Sequence, residues 1–324
     1  MEAVNIKNIG LKKPTSNKRE NFLGKFIRII KKDRQILLLL LPGLLYYLIF
    51  HYGPMYGVLI AFKKYSVAKG ILGSDWVGLK HFISFFTGFD AFKIIRNTLM
   101  LSVYNLVLGF PAPIFFALLL NEIRSEKFKR LTQTISYLPH FISTVVVCGL
   151  VANFLQPESG VINIVLNKLF GIPHIPYLME PQYFRGVYVG MHIWKEFGWG
   201  AIIYLAALTN VDVELYEAAK IDGANRFQQV LFITIPCLLP VAVILLILRL
   251  GHILNTGFES IILLYTPLTY ETADVIDTYV YRRGLIEANY SFGAAVGLFK
   301  SVIALILVVT SNKLSKKLTD TSLW

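Results

Sequence analysis

The stretch ELYEAAKIDGA, Glu214–Ala224, carries three carboxylates, a lysine and a glycine between two long apolar runs. Three roles suit such residues. Glu217 and Asp222 can form a carboxylate pair for acid–base work, which needs a cleft holding the scissile bond between them. The segment can equally be a solvated loop. It can also be a docking surface. Asp212 suits the start of a short helix, with Glu214 and Glu217 in its first turns, where the helix dipole favours negative charge. Ala218 and Ala219 favour helix and add no bulk, so another surface can approach closely. Gly223 can take the left-handed conformation that ends a short helix, and from Ala224 the chain leads straight into an apolar run.

A second group is Arg249, His252, Asn255 and Thr256, spaced i, i+3, i+6 and i+7, one stripe if helical. Arg249 lies 13 residues beyond Pro236, about 20 Å along a helix. A cation at that depth in a membrane costs about 2.5–3.5 kcal/mol and faces a cavity or a partner. The stripe therefore lines a path, or Arg249 pairs structurally with Glu196 or Glu259. Lys300 and Lys195 carry weaker forms of the same argument, and Lys195 can snorkel outward.

Both groups must be held by membrane helices. Of 324 residues, 55% are hydrophobic and 16% charged, against roughly a quarter charged in soluble domains. Six blocks are long enough to span, at about residues 35–62, 97–121, 131–157, 186–209, 229–256 and 290–311. The first starts too late and runs too long for a cleaved signal peptide. The expected fold is therefore an all-α membrane protein of six transmembrane helices. A basic tail (1–34) precedes a six-helix transmembrane domain (35–312), which contains the polar loop 210–228, and a short tail (313–324) follows.

Charge sets the orientation. Ten of the 32 Lys and Arg fall between Lys7 and Arg34. With both termini cytoplasmic, the inner segments hold 19 cations and the outer ones 10, as the positive-inside rule asks. The first outer loop, with six cations between Lys63 and Arg96, is the discordant piece. The net charge of +12 is concentrated in a tail suited to anionic lipid, without an aromatic-interleaved basic module for nucleic acid. Prolines 42, 54, 111, 113, 139, 236 and 240 punctuate the spans, tolerable where neighbours or a cavity satisfy the freed backbone. Cys148 and Cys237 sit in apolar runs without metal-ligand spacing. No P-loop, H-E-x-x-H or G-x-S-x-G occurs, so the chain binds no ATP through a P-loop of its own.

The run YEAAKIDGANRFQQVLFITIPCLLP resembles the EAA loop of ABC importer permeases, particularly the sugar-importer class. The matching residues are Glu217, Ala218, Ala219, Asp222, Gly223, Ala224, Phe227, Ile233 and Pro236. The preceding GMHIWKEFGWGAIIYLAAL resembles the span leading into that loop, and the likeness covers about residues 93–311. The family often has Pro at the position of Asp212 and Trp at that of Phe227. The resemblance implies a type I importer permease core in a bacterial inner membrane. Its coupling helix would dock on two cytoplasmic ATPase subunits that hydrolyse ATP–Mg, and this chain would carry no cofactor or metal. It also implies a second homologous permease, commonly as a heterodimer, and an extracytoplasmic solute-binding protein. The cargo would be an oligosaccharide, acidic if Arg249, Lys300 and Lys195 face the path, as with alginate or other uronate fragments. Trp194, Trp199 and Tyr204 can stack on sugar faces or serve as packing aromatics. The rival readings are an ion-gradient-driven secondary carrier and an intramembrane enzyme.

Overall fold

The computed structural model describes residues 34–319. The basic tail up to residue 33, and residues 320–324 of the C-terminal tail, lie outside the described residues. The chain divides into two compact units after Tyr56.

In the first unit, helix α1 (Arg34–Tyr47) carries no charge beyond Arg34 and buries no residue. Pro42 removes one backbone N–H within it. A π-helical turn follows over Leu48–Tyr52. The full apolar stretch, Arg34–Phe62, is 29 residues long, enough to cross roughly 30 Å of hydrocarbon.

The second unit is built around one long helix. It begins with a short antiparallel ladder, β1 (Lys63–Lys64) on β2 (Asp75–Trp76). Then come α2 (Ala91–Val107), α3 (Pro111–Glu122), α4 (Glu126–Phe141), α5 (Thr144–Phe154) and the central α6 (Pro181–Leu208). The short α7 (Val213–Ile221) leads to α8 (Ile235–Gly251), and α9 (Phe258–Leu264), α10 (Ile276–Val280) and α11 (Tyr290–Thr319) complete it. Helix α6 packs against α2, α3, α4 and α8. Its Phe184, Tyr188 and Met191 enter a core with Leu101, Val147, Ile261 and Val275. Further along, Ala201, Tyr204 and Leu208 meet Ala117 and Leu238. At Gly198 a Cβ would overlap the Ser136 carbonyl of α4. The two backbones pass so closely that only glycine fits.

Among the described residues, four stretches are long and apolar enough to cross a membrane: Arg34–Phe62, Ala91–Glu122, Arg226–Gly251 and Tyr290–Lys317. The α4–α5 pair makes five if its two arms count as one span. The third expected block, 131–157, is thus not one straight helix but is bent by 101°. Pro139 stands in the last turn of α4, Ile142 turns extended, and Ser143 caps α5 by accepting from the Val146 N–H at 3.4 Å. The fourth block coincides with most of α6, whose 28 residues reach about 42 Å; it carries Arg185, His192, Lys195 and Glu196 and is not among the four.

The first loop's discordant charge is largely engaged. Lys63 Nζ donates to the Ile71 carbonyl at 2.8 Å, while Lys69 pairs with Asp75 at 3.4 Å, Lys93 with Asp90 at 2.7 Å and Arg96 with Glu271 at 3.0 Å.

Residues 257–289, expected as an outer loop, form short helices packed on the core. Asp274 is 2% exposed and accepts from Arg282 at 2.6 Å and Thr278 at 2.8 Å. Burial works against the Arg282 charge, but the hydrogen bond and charge of Asp274, together with Tyr270 and Tyr265, outweigh it and raise the guanidinium pKa. The buried Asn97 amide donates to the Glu271 and Asp274 carbonyls at 2.9 and 3.1 Å and accepts from Arg185 at 2.9 Å. Asp274→Ala is therefore expected to cost about 2–3 kcal/mol, the low end for a broken buried pair because Arg282 is partly exposed. A drop of several degrees in the melting temperature of the detergent-solubilised protein would register it.

Candidate functional site

The polar loop folds as a self-contained knuckle. Asp212 Oδ1 accepts from the Glu214 N–H at 3.0 Å and opens α7. The helix closes with Asp222 N–H on the Ala218 carbonyl at 3.0 Å and Ala224 N–H on the Ala219 carbonyl at 2.8 Å. Between them Gly223 takes φ +79°, a conformation costly for residues with a Cβ. Asn225 and Gln228 then form a reciprocal capping box that starts the helical stretch Arg226–Gly251. A Val in place of Gly223 is expected to fray α7 by about 1–2 kcal/mol, visible as faster amide exchange at Asp222–Ala224.

Helix α7 buries no residue, and Glu217 and Asp222 are exposed. Neither side chain makes a hydrogen bond or ion pair among the described residues, and neither lines the cavity described next. One contact nonetheless ties α7 to the long stretch that follows it, and a second ties that stretch to α3. Tyr216 Oη shares a hydrogen bond of 3.0 Å with Thr234 Oγ1, in the π-helical turn Val230–Thr234 before α8. Arg226 pairs with Glu122, the last residue of α3, at 3.0 Å.

A cavity of about 350 Å³ lies between α2, α6 and α8. Arg249, His252, Asn255 and Thr256 all line it, although they do not share one helical stripe: α8 ends at Gly251 and tight turns follow. Arg249 Nη2 donates to the Asn105 carbonyl at 2.9 Å, at the C-terminal end of α2 where cations are favoured. That carbonyl, rather than Glu196 or Glu259, is its hydrogen-bond partner. Glu196, also in the lining, accepts from His140 Nδ1 at 3.0 Å, and the His140 ring stacks on Trp199 at 4.6 Å.

The remaining sequence candidates lie elsewhere. Lys300 is held by Asp277 of α10 at 2.6 Å. Trp194 lines a separate, mostly apolar groove of about 420 Å³ with Phe154, Gly190 and Met191. Lys195 donates to Thr144 Oγ1 at 3.0 Å. Tyr188, His192, Ser102 and Asn105 join the cavity without having been singled out. Tyr188, His192 and Glu196 follow one another at i, i+4 in the sequence, a legible polar stripe; Ser102 and Asn105 give no such signal.

A mostly helical transmembrane unit with a tethered, exposed knuckle and a polar central cavity has the architecture of a permease. The chain belongs to the family of binding-protein-dependent transport system inner membrane components, whose match covers residues 109–320. Among its relatives, protein LplB of Bacillus subtilis (strain 168) is 48% identical over 89% of this chain and 90% of its own length. The polygalacturonan/rhamnogalacturonan transport system permease protein YteP of the same organism is 47% identical over 93% and 92%. A chain in the crystal structure of a bacterial alginate ABC transporter, in complex with alginate pentasaccharide-bound periplasmic protein, is 45% identical. It superposes with TM-score 0.86, over 92% of this chain and 100% of its own.

Proposed function

We propose that this chain is one permease subunit of an ATP-driven, binding-protein-dependent importer that carries an oligosaccharide, acidic in character, across a bacterial inner membrane into the cytoplasm. The observation that carries the coupling is the exposed helix α7, capped at both ends and tied through Tyr216 to the turn that leads into α8. Glu217, Ala218, Ala219, Asp222, Gly223 and Ala224 form its docking face for two ATPase subunits, which bind and hydrolyse ATP–Mg. The bent α4–α5 pair and α6 complete six crossings, with both termini cytoplasmic. A second, homologous permease completes the pathway as a heterodimer, and an extracytoplasmic binding protein delivers the cargo. The acidic cargo is supported by Arg249 in the cavity wall and by two relatives, one a polygalacturonan permease and the other an alginate importer.

Proteoliposomes holding the assembled complex test this reading. Uptake of a uronate oligosaccharide should require the binding protein and ATP on the face that binds the ATPases. Uptake driven by an ion gradient without ATP would favour a secondary carrier, and conversion of the sugar by the purified chain alone would favour an enzyme.

A further inference from the structure

Hydrogen-bond accounting in the central cavity leaves a specific remainder. Ser102 Oγ donates to the Ile253 carbonyl at 2.5 Å, and Tyr188 Oη donates to the Thr256 carbonyl. Those hydroxyls are engaged. Thr256 Oγ1 and Asn105 Oδ1 are not: both are buried without a hydrogen-bond partner among the described residues, and Thr256 is only 2% exposed. Buried polar atoms of this kind cost stability unless something completes them. Arg249 adds to the remainder. A guanidinium carries five N–H donors, and its one hydrogen bond among the described residues is the Asn105 carbonyl.

The lining carries charges of both signs: Arg249 comes from α8, and Glu196 from α6, with His140 bonded to Glu196 and stacked on Trp199. A carboxylate ligand is attracted to Arg249 and repelled by Glu196. Sugar hydroxyls suit Glu196 and Trp199, because a carboxylate accepts from them and an indole face covers the ring's C–H surface.

We propose that this cavity is a single oriented subsite for a uronate ring. The ring's carboxylate sits on Arg249, a ring oxygen or hydroxyl meets Thr256 Oγ1 and Asn105 Oδ1, and the remaining hydroxyls turn towards Glu196 and Trp199. The subsite rests on the importer reading and adds its chemical selectivity. Arg249 is the residue that distinguishes a carboxylated sugar from its neutral counterpart, whereas Thr256 serves both equally. At about 350 Å³ the cavity is at the small end of ligand pockets, so the cargo passes it ring by ring.

The test uses the full complex in proteoliposomes with two probes: a galacturonate trisaccharide, and the same trisaccharide with its carboxyls reduced to hydroxymethyl groups. Wild type should favour the acidic probe. Arg249→Gln should lower uptake of the acidic probe by about tenfold to a hundredfold, the loss expected for a charge-assisted hydrogen bond, and leave the reduced probe within about twofold. Arg249→Lys, which keeps the charge but not the planar fork, should fall between. Thr256→Val should lower both probes together by about fivefold. Equal losses for both probes in Arg249→Gln and Arg249→Lys would overturn the subsite while leaving the importer reading intact. An ATP-dependent wild type without preference between the probes would do the same. A wild-type complex that takes up neither probe with ATP would overturn the importer reading itself, and the subsite with it.

Discussion

Glu217→Lys should reduce ATP-dependent uptake by about a hundredfold or more and release the ATPase subunits from the membrane complex. The expectation follows from where the side chain stands. Glu217 is exposed on a helix that buries nothing, so reversing its charge leaves the fold of this chain intact. Its cost falls on whatever docks there. Truncating one member of a buried interfacial charge pair costs about 2–5 kcal/mol and like-charge juxtaposition costs several more, which is a factor of about 30 upwards in affinity. Glu217→Gln should be milder, since it keeps the shape and half of the hydrogen-bonding capacity. Glu214→Gln, one turn nearer the cap, should be milder still. Co-purification of the ATPase from solubilised membranes, alongside uptake, separates lost docking from lost folding.

The second large effect concerns the fold. Gly198→Val places a branched side chain where even one methyl overlaps the Ser136 carbonyl. The neighbour is backbone in the middle of α4, which cannot swing aside like a flexible side chain. Overpacking commonly costs 1–3 kcal/mol, and here upwards of about 3 kcal/mol is expected because α4 must move away from α6 as a body. Such a shift also displaces His140, carried on α4, from Glu196 and Trp199 on α6. The variant should lose monodisperse protein on solubilisation. Gly149→Ala is the matched control: Gly149 lies within α5 with open space around its Cα, so alanine should be neutral or slightly stabilising.

The knuckle was legible from sequence because its determinants are local. Asp212 as cap, two alanines, and Gly223 at the turn act within about ten residues of one another, and each does so in the structure. The cavity was legible by half. Arg249, His252, Asn255 and Thr256 meet around it, but by a helix that stops at Gly251 and then turns, not by one stripe. Whether Lys300 faces the path or a partner stayed open in the sequence because Asp277, which holds it, stands 23 residues upstream on a segment taken for loop. Long-range placement of this kind leaves no periodic trace. The 101° break between α4 and α5 was hidden for another reason: block 131–157 carries no Asp, Glu, Lys or Arg, and the lack of charge marks a span without giving its direction. Asn105 and Ser102 enter the cavity only because α2 crosses α6 and α8 there. On α6 itself, Lys195 drew attention by its charge, while the i, i+4 run of Tyr188, His192 and Glu196 was the better guide.

In the proposed importer α7 hands force from an ATPase to the permease helices, and photo-crosslinking reads the contact this requires. A photoreactive amino acid in place of Leu215, which is 48% exposed on α7, should capture the ATPase subunit in the assembled complex. The same group at Leu72, exposed in the first loop, should not. Capture at Leu215 of lipid alone, or of the extracytoplasmic binding protein, would contradict the claim.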